Sequence, residues 1–308
     1  MEMRKVLYSK LCEFMSLDKD IVVINADLAK AAGLSDLVNK FPDRCFNAGV
    51  AEQNMASIAA GLSSYGINPF IFTFTPFATR RICDQIAVSI CYAKQNVKIF
   101  GLDPGIAAEN NGGTHMSFED VGIMRSIPSM SIFEPCDDIQ LERSMKQIVD
   151  FKGPLYVRMF RKETPRVFND NYKFDLFSSD LIRSGEDVSI FCTGILVHEC
   201  IKAYDILKEK GVSAEVINVH TLKPIDSKVI SSIKKTRCAV CAENHNRYGG
   251  LFSSLSEIAS ENFPIPIESI SINDEFGQVG NLDFLKNYYG LTCDHVVNSV
   301  MKVIKRRV

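Results

Sequence analysis

Short unbroken apolar runs, separated by longer stretches of mixed polarity, set the rhythm of this chain. Ile21-Val22-Val23-Ile24 has no polar position to turn outward, the mark of a strand covered on both faces. Further strands are read at Pro69–Thr73, Val97–Gly101, Met130–Phe133 and Leu155–Arg158, and later at Asp187–Cys192, Ser213–Val219, Cys238–Ala242 and Ile267–Ile272. A shorter strand ends at Asn47. Helix-period stretches lie between them, over 4–16, 33–40, Glu52 to about Tyr65, 77–94, 118–126 and 137–149, then 196–210, 226–235, 250–260 and 292–304. Such regular alternation predicts α/β architecture with doubly wound parallel sheets. The polar stretch 162–184 carries Pro165 and an Asn-Asp-Asn turn and reads as a linker. The expectation is therefore two doubly wound α/β domains, 1–165 and a smaller 185–308.

One stretch departs from this rhythm. Asn47-Ala48-Gly49-Val50-Ala51-Glu52-Gln53-Asn54-Met55 reads as a strand end, a glycine turn and a helix whose first turn carries a carboxylate. The residues that follow, Ala56 to Leu62, are small and apolar all round, which predicts a helix buried on most sides. An unpaired charge is costly there, although the helix dipole favours a negative one at this end. Open α/β sheets bind ligands outside the C-terminal ends of their strands. Asp27 and Leu28 follow the first strand, Glu52 the second, and a glycine-rich loop runs from Asp103 to His115. Phe74-Thr75-Pro76-Phe77 adds an aromatic patch. Taken singly, Phe77 is a core residue and His115 a surface one. A carboxylate, an aromatic wall and a histidine on one sheet edge together form a site for a flat heteroaromatic cofactor.

Composition narrows the classes. A net charge of −2 over 308 residues gives neither nucleic acid nor an anionic membrane a reason to bind. No apolar run approaches the roughly 18 residues of a membrane span. Met1-Glu2-Met3-Arg4-Lys5-Val6-Leu7 lacks the apolar core of a signal peptide, and the expected location is cytoplasmic. The ten cysteines sit mostly in apolar runs, as small core residues in a reducing compartment do. Cys238 and Cys241 have metal-like spacing but lie in a strand, where residues three apart face opposite sides.

Gly49-Val50-Ala51-Glu52-Gln53-Asn54-Met55, then Phe74, Phe77, Ala78, Arg80 and Arg81, then Gly112-Gly113-Thr114-His115, resemble transketolase. The match is to its pyrimidine-binding domain followed by its C-terminal domain. It extends through Ile127-Pro128-Ser129-Met130, Glu134-Pro135-Cys136-Asp137 and Gly153-Pro154-Leu155-Tyr156-Val157-Arg158 to Glu243-Asn244-His245 before Gly249-Gly250-Leu251. The resemblance covers nearly the whole chain. It implies thiamine diphosphate as cofactor, with Asp27 and Leu28 beside it. Glu52 would bond the pyrimidine ring nitrogen, Phe77 with Phe74 would stack on the ring, and His115 would assist proton transfer on the sugar. Arg4 and Arg161 would grip a terminal anionic group, with Asp103 and Asn111 in the same substrate pocket.

The Gly-Asp-Gly motif that binds diphosphate and Mg²⁺ in this family does not occur in the sequence. The resemblance thus implies the C-terminal subunit of a split transketolase. An N-terminal subunit would carry the diphosphate-binding domain and the Mg²⁺ ligands, and self-association would build a heterotetramer. Asp103 stands where many transketolases have a histidine, as in deoxyxylulose-phosphate synthase. Ala31 replaces a small hydroxyl residue, Asn111 an acidic residue, and Arg80 an aromatic one. These changes point to a sugar phosphate or related anionic sugar, sulfonate included. Alternatives are the β subunit of a 2-oxo acid dehydrogenase, another related thiamine enzyme, or a non-catalytic partner.

Overall fold

The structure is a computed structural model and describes residues 1–307. Its contacts divide the chain into two units: Met1–Pro104 with Ile123–Leu176, and Gly105–Gly122 with the residues from 177 on. The glycine-rich loop after Asp103, which the strand pattern groups with the first domain, packs within the second unit.

In the first unit the apolar runs form β1 (Ile21–Asn25), β2 (Cys45–Asn47), β3 (Asn68–Phe74), β4 (Lys98–Leu102), β5 (Ser131–Phe133) and β6 (Leu155–Met159). These six strands are parallel and bonded in the order β5-β6-β4-β3-β1-β2. The chain leaves β1 for β2 on one side and returns to β3 on the other. That reversal opens a crevice at the C-terminal ends of β1 and β3, where doubly wound sheets bind ligands. β1, β4 and β6 are buried at every position. Phe70, Phe72 and Phe100 form a stacked aromatic core across β3 and β4, with Phe70 and Phe72 centroids 6.0 and 4.7 Å from that of Phe100.

Two helices differ from the pattern. The Glu52–Ser64 helix buries Glu52, Met55, Ala56, Ala59 and Ala60 along one side. Its opposite side, with Gln53, Asn54, Ser57, Ile58 and Gly61, is exposed. The periodic stretch 77–94 is broken into a turn at Thr75–Ala78, a tighter turn at Arg80–Ile82 and a wide π-type helix at Gln85–Tyr92. The break lies at Thr79, whose backbone leaves helical geometry and whose hydroxyl donates to the Thr75 carbonyl at 2.8 Å. It turns Arg80 and Arg81 out of the helical path.

The second unit contains β7 (Asp180–Arg183), β8 (Val188–Cys192), β9 (Ala214–Asn218), β10 (Thr221–Lys223), β11 (Ala239–Asn246) and β12 (Ile267–Ile272). Five of them form a sheet in the order β12-β11-β8-β9-β7, parallel except for β7 against β9. β7 lies in the stretch that reads as linker. It is an edge strand whose residues alternate between exposed and half-buried, so it lacks the apolar run that marks the others. A helix at Leu282–Tyr288 also carries too little periodic signal to be foreseen. The ten cysteines are free thiols, and burial pushes Cys241 well above the ordinary thiol range. Among the described residues no helix is long and apolar enough to cross a membrane.

Candidate active site

Two asparagines lock the turns at the ends of β1 and β2. Asn25 accepts from the Leu28 amide at 3.0 Å and donates to the Phe46 carbonyl at 3.2 Å. Asn47 accepts from the amides of Asp27 and Gly49, each at 2.9 Å, and donates to the Asp27 carboxylate at 3.2 Å. Asp27, held in left-handed backbone geometry (φ 59°), and Leu28 are thereby fixed beside the turn that leads into Glu52.

Glu52 is only 4% exposed. Arg81, which the Thr79 break takes out of the helical path, donates from Nη1 to Glu52 Oε1 at 2.8 Å. The same guanidinium lies 3.7 Å from the centroid of the Phe77 ring. Sequence reasoning assigns Arg81 no role; its only signal is that two arginines follow Phe77 so closely. Val50, Ala51, Glu52, Gln53, Asn54 and Arg81 line a cleft of about 450 Å³. Phe77 meets Phe74 edge-on at 6.4 Å, and Phe74 in turn carries the Arg161 guanidinium at 5.0 Å. Glu52, Arg81, Phe77, Phe74 and Arg161 thus form one continuous row along the sheet edge.

Asp103 closes that row. Arg161 donates from Nε to Asp103 Oδ2 at 2.6 Å, from its amide to Oδ1 at 3.0 Å, and from Nη1 to the Ala31 carbonyl at 2.7 Å. Burial pushes the Asp103 carboxyl above the ordinary range, against the pull of Arg161. The arginine's fork is engaged within the protein, and Asp103 is turned toward it. Arg4 is engaged by Glu2, from Nε at 3.1 Å, and its amide reaches the Arg161 carbonyl at 3.1 Å. Arg4, Asp103 and Arg161 are therefore neighbours, as the sequence leads one to expect of a substrate pocket, but each cation already holds a carboxylate. Asn111 and His115 lie on the loop of the second unit, Asn111 exposed and His115 half-buried with Nδ1 2.9 Å from Thr114 Oγ1.

The site is thus a buried carboxylate at a helix head beside an aromatic face on a sheet edge. Residues 1–166 match the transketolase pyrimidine binding domain and residues 178–296 the transketolase C-terminal domain. The chain belongs to the transketolase family, and its first domain implies thiamine diphosphate. It is 44% identical over 306 residues to the 6-deoxy-6-sulfo-D-fructose transketolase subunit SqwH of Clostridium sp. (strain MSTE9), spanning 99% of this chain and 95% of that one. It is 33% identical to one of the subunits of the apulose-4-phosphate transketolase of Phocaeicola vulgatus, over 98% and 97% of the two chains. Among solved structures a split gene transketolase, an inactive beta4 tetramer, superposes with a TM-score of 0.91 at 36% identity, covering 100% and 99%. The chain is a C-terminal subunit of the split transketolase type.

Proposed function

We propose that this chain supplies the pyrimidine side of a thiamine diphosphate site, completed by an N-terminal subunit that holds the diphosphate and Mg²⁺. The complex moves a two-carbon ketol unit from a ketose with a terminal sulfonate to an aldose acceptor. The observation that carries the reading is the Arg81 guanidinium. It is a flat, N–H-bearing cation that stacks on Phe77 and bonds Glu52 at once. A protonated aminopyrimidine presents the same shape, charge and donors, so the residues fit the ring. When bound, the cofactor supplies a thiazolium that stabilises negative charge on the former carbonyl carbon. Glu52 holds a proton at the pyrimidine nitrogen, Phe77 and Phe74 orient the ring, and His115 moves a proton on the sugar. Exposed Val50, Ile58, Tyr65, Val88 and Tyr92 around the small-residue helix face give the N-terminal subunit and a second copy their surface. The inactive beta4 tetramer of the split gene relative supports self-association.

The sulfonate follows from charge. Asp103 cancels much of the positive field of Arg161. A monoanionic sulfonate needs less of that field than a phosphate dianion, and the 44% identical relative is named for a sulfosugar. The test is transfer by the reconstituted complex from 6-deoxy-6-sulfo-D-fructose and from fructose 6-phosphate at equal concentration. A higher kcat/KM for the sulfosugar is expected. Arg161→Ala should remove roughly 10- to 150-fold from that value, the 1.5–3 kcal/mol of a charged hydrogen bond, and leave a ketose without the anion unaffected. Preference for the phosphate would overturn the sulfonate assignment; no transfer from either ketose would overturn the whole reading.

Arg81 must leave Phe77 and Glu52 before the ring can use them. It is 44% exposed, so its two contacts are worth little, about 1–2 kcal/mol together. Arg81→Ala should therefore tighten thiamine diphosphate binding to the complex by roughly 5- to 30-fold in calorimetry. Weaker binding would make Arg81 a cofactor ligand instead.

A further inference from the structure

Glu243-Asn244-His245, at the end of β11, has no part in the chemistry above, yet the structure ties it to the loop that carries His115. We infer that Asn244 is a positioning residue and that the end of β11 is the platform on which the Gly105–Gly122 loop is set for reaction. The inference rests on the proposed role of His115. Asn244 is fully buried, and its Oδ1 accepts the Ile106 amide at 3.0 Å where the loop begins. Gly105 has φ +55°, and a Cβ there would lie 2.2 Å from Asn244 Oδ1, so only glycine lets the loop settle on that oxygen. Two residues along, the Asn246 amide donates to the Phe118 carbonyl at 2.8 Å. At the loop's far end the Gly122 amide points to His245 Nε2 at 3.4 Å. Gly249 passes so close that a Cβ on it would meet Gly122 Cα at 2.8 Å. The loop is thus pinned at its start, near its end and at its exit by one strand end and the turn after it.

Glu243 explains why that strand end is rigid. Its carboxylate accepts the Leu251 and Phe252 amides at 2.7 and 2.9 Å, capping the Leu251–Asn262 helix from β11. Between its fixed ends the loop leaves helical geometry at Glu109 (φ 49°) and presents Asn111 and His115. Misplacing a reacting group by about 1 Å costs on the order of 10²-fold in rate. Loss of the Ile106 anchor should therefore be felt at His115.

The experiment combines hydrogen exchange with a double-mutant cycle in the reconstituted complex, using 6-deoxy-6-sulfo-D-fructose as donor. Asn244→Ala should speed exchange in peptides spanning 105–122 and leave peptides of β8 at the wild-type rate. It should lower kcat about 10- to 100-fold, leave thiamine diphosphate affinity unchanged in calorimetry, and lower kcat no further in a His115→Ala background. Asn244→Asp, which keeps the acceptor oxygen in place, should recover part of the loss. Gly105→Ala tests the contact from the loop side and should give the same exchange signature should Asn244→Ala fold poorly. Unchanged exchange over 105–122 in both variants overturns the inference, as does an equal kcat loss with and without His115. A neutral His115→Ala would instead strike the proposed role of His115, and loop exchange then decides the platform alone.

Discussion

Glu52→Gln should cost the reconstituted enzyme roughly 10²–10⁴ in kcat, the usual worth of a positioned acid or base, with the fold left intact. The carboxylate sits at the head of a helix, 4% exposed, in the cleft that it lines with Arg81. Glutamine has the same size, and its carbonyl oxygen still accepts from Arg81, so packing changes little. What it loses is the ability to share a proton with a ring nitrogen: its amide already carries two hydrogens and gives neither up at neutral pH. The structural cost is small because the partner of Glu52 is 44% exposed, and such pairs contribute about 1 kcal/mol or less. The measurement is single-turnover transfer with saturating cofactor, alongside thermal unfolding of the isolated chain. If the variant kept more than half of the wild-type rate, Glu52 would be a terminal charge that the helix dipole favours and nothing more.

Which parts of this site could be read from the chain follows from the range of the forces involved. The central strands were legible because apolar residues dominate them, as they do in strands covered on both faces. β7 was not, since an edge strand with one half-buried side carries no apolar run. The Glu52 helix was legible as a helix but not in its burial. Alanine, serine and glycine suit a crowded interior and an exposed face alike, and here one side is open. Arg81 was out of reach for a different reason. Its spacing fits a helix continuing through 77–94, and a tertiary contact of the Thr75 hydroxyl with the Leu102 carbonyl, at 3.0 Å, accompanies the break that redirects it. The partnership of Asp103 with Arg161 joins residues 58 apart, a separation that no local pattern spans. Lys98 shows the limit most plainly. It stands in a run that reads as pure core, and its ammonium is fully buried, donating to the Phe151 and Gly153 carbonyls at 2.7 and 3.1 Å.

Arg158→Met should destabilise the first unit by about 3–5 kcal/mol, the cost of breaking a buried ion pair from one side. Arg158 lies in β6 and Glu134 just past β5, with side chains 1% and 3% exposed and Nη1 2.6 Å from Oε1. These are the residues that end and begin two of the segments by which the sequence resembles its family, and their pairing accounts for both. Out of water neither charge is well solvated, so removing the arginine takes away the cation at 2.6 Å from the buried carboxylate. A loss of that size is a large share of the roughly 5–15 kcal/mol that a domain has. It should also reach the site, because β6 runs on through Met159, whose carbonyl accepts the Asp103 amide at 2.9 Å, to Arg161. Urea unfolding at neutral pH reads the loss as a lower midpoint at unchanged slope. Arg158→Met with Glu134→Leu, which removes both charges, should recover most of the stability. A single-variant loss under 1 kcal/mol, or a double variant no better than the single, would mean that the pair does not hold β5 and β6 together.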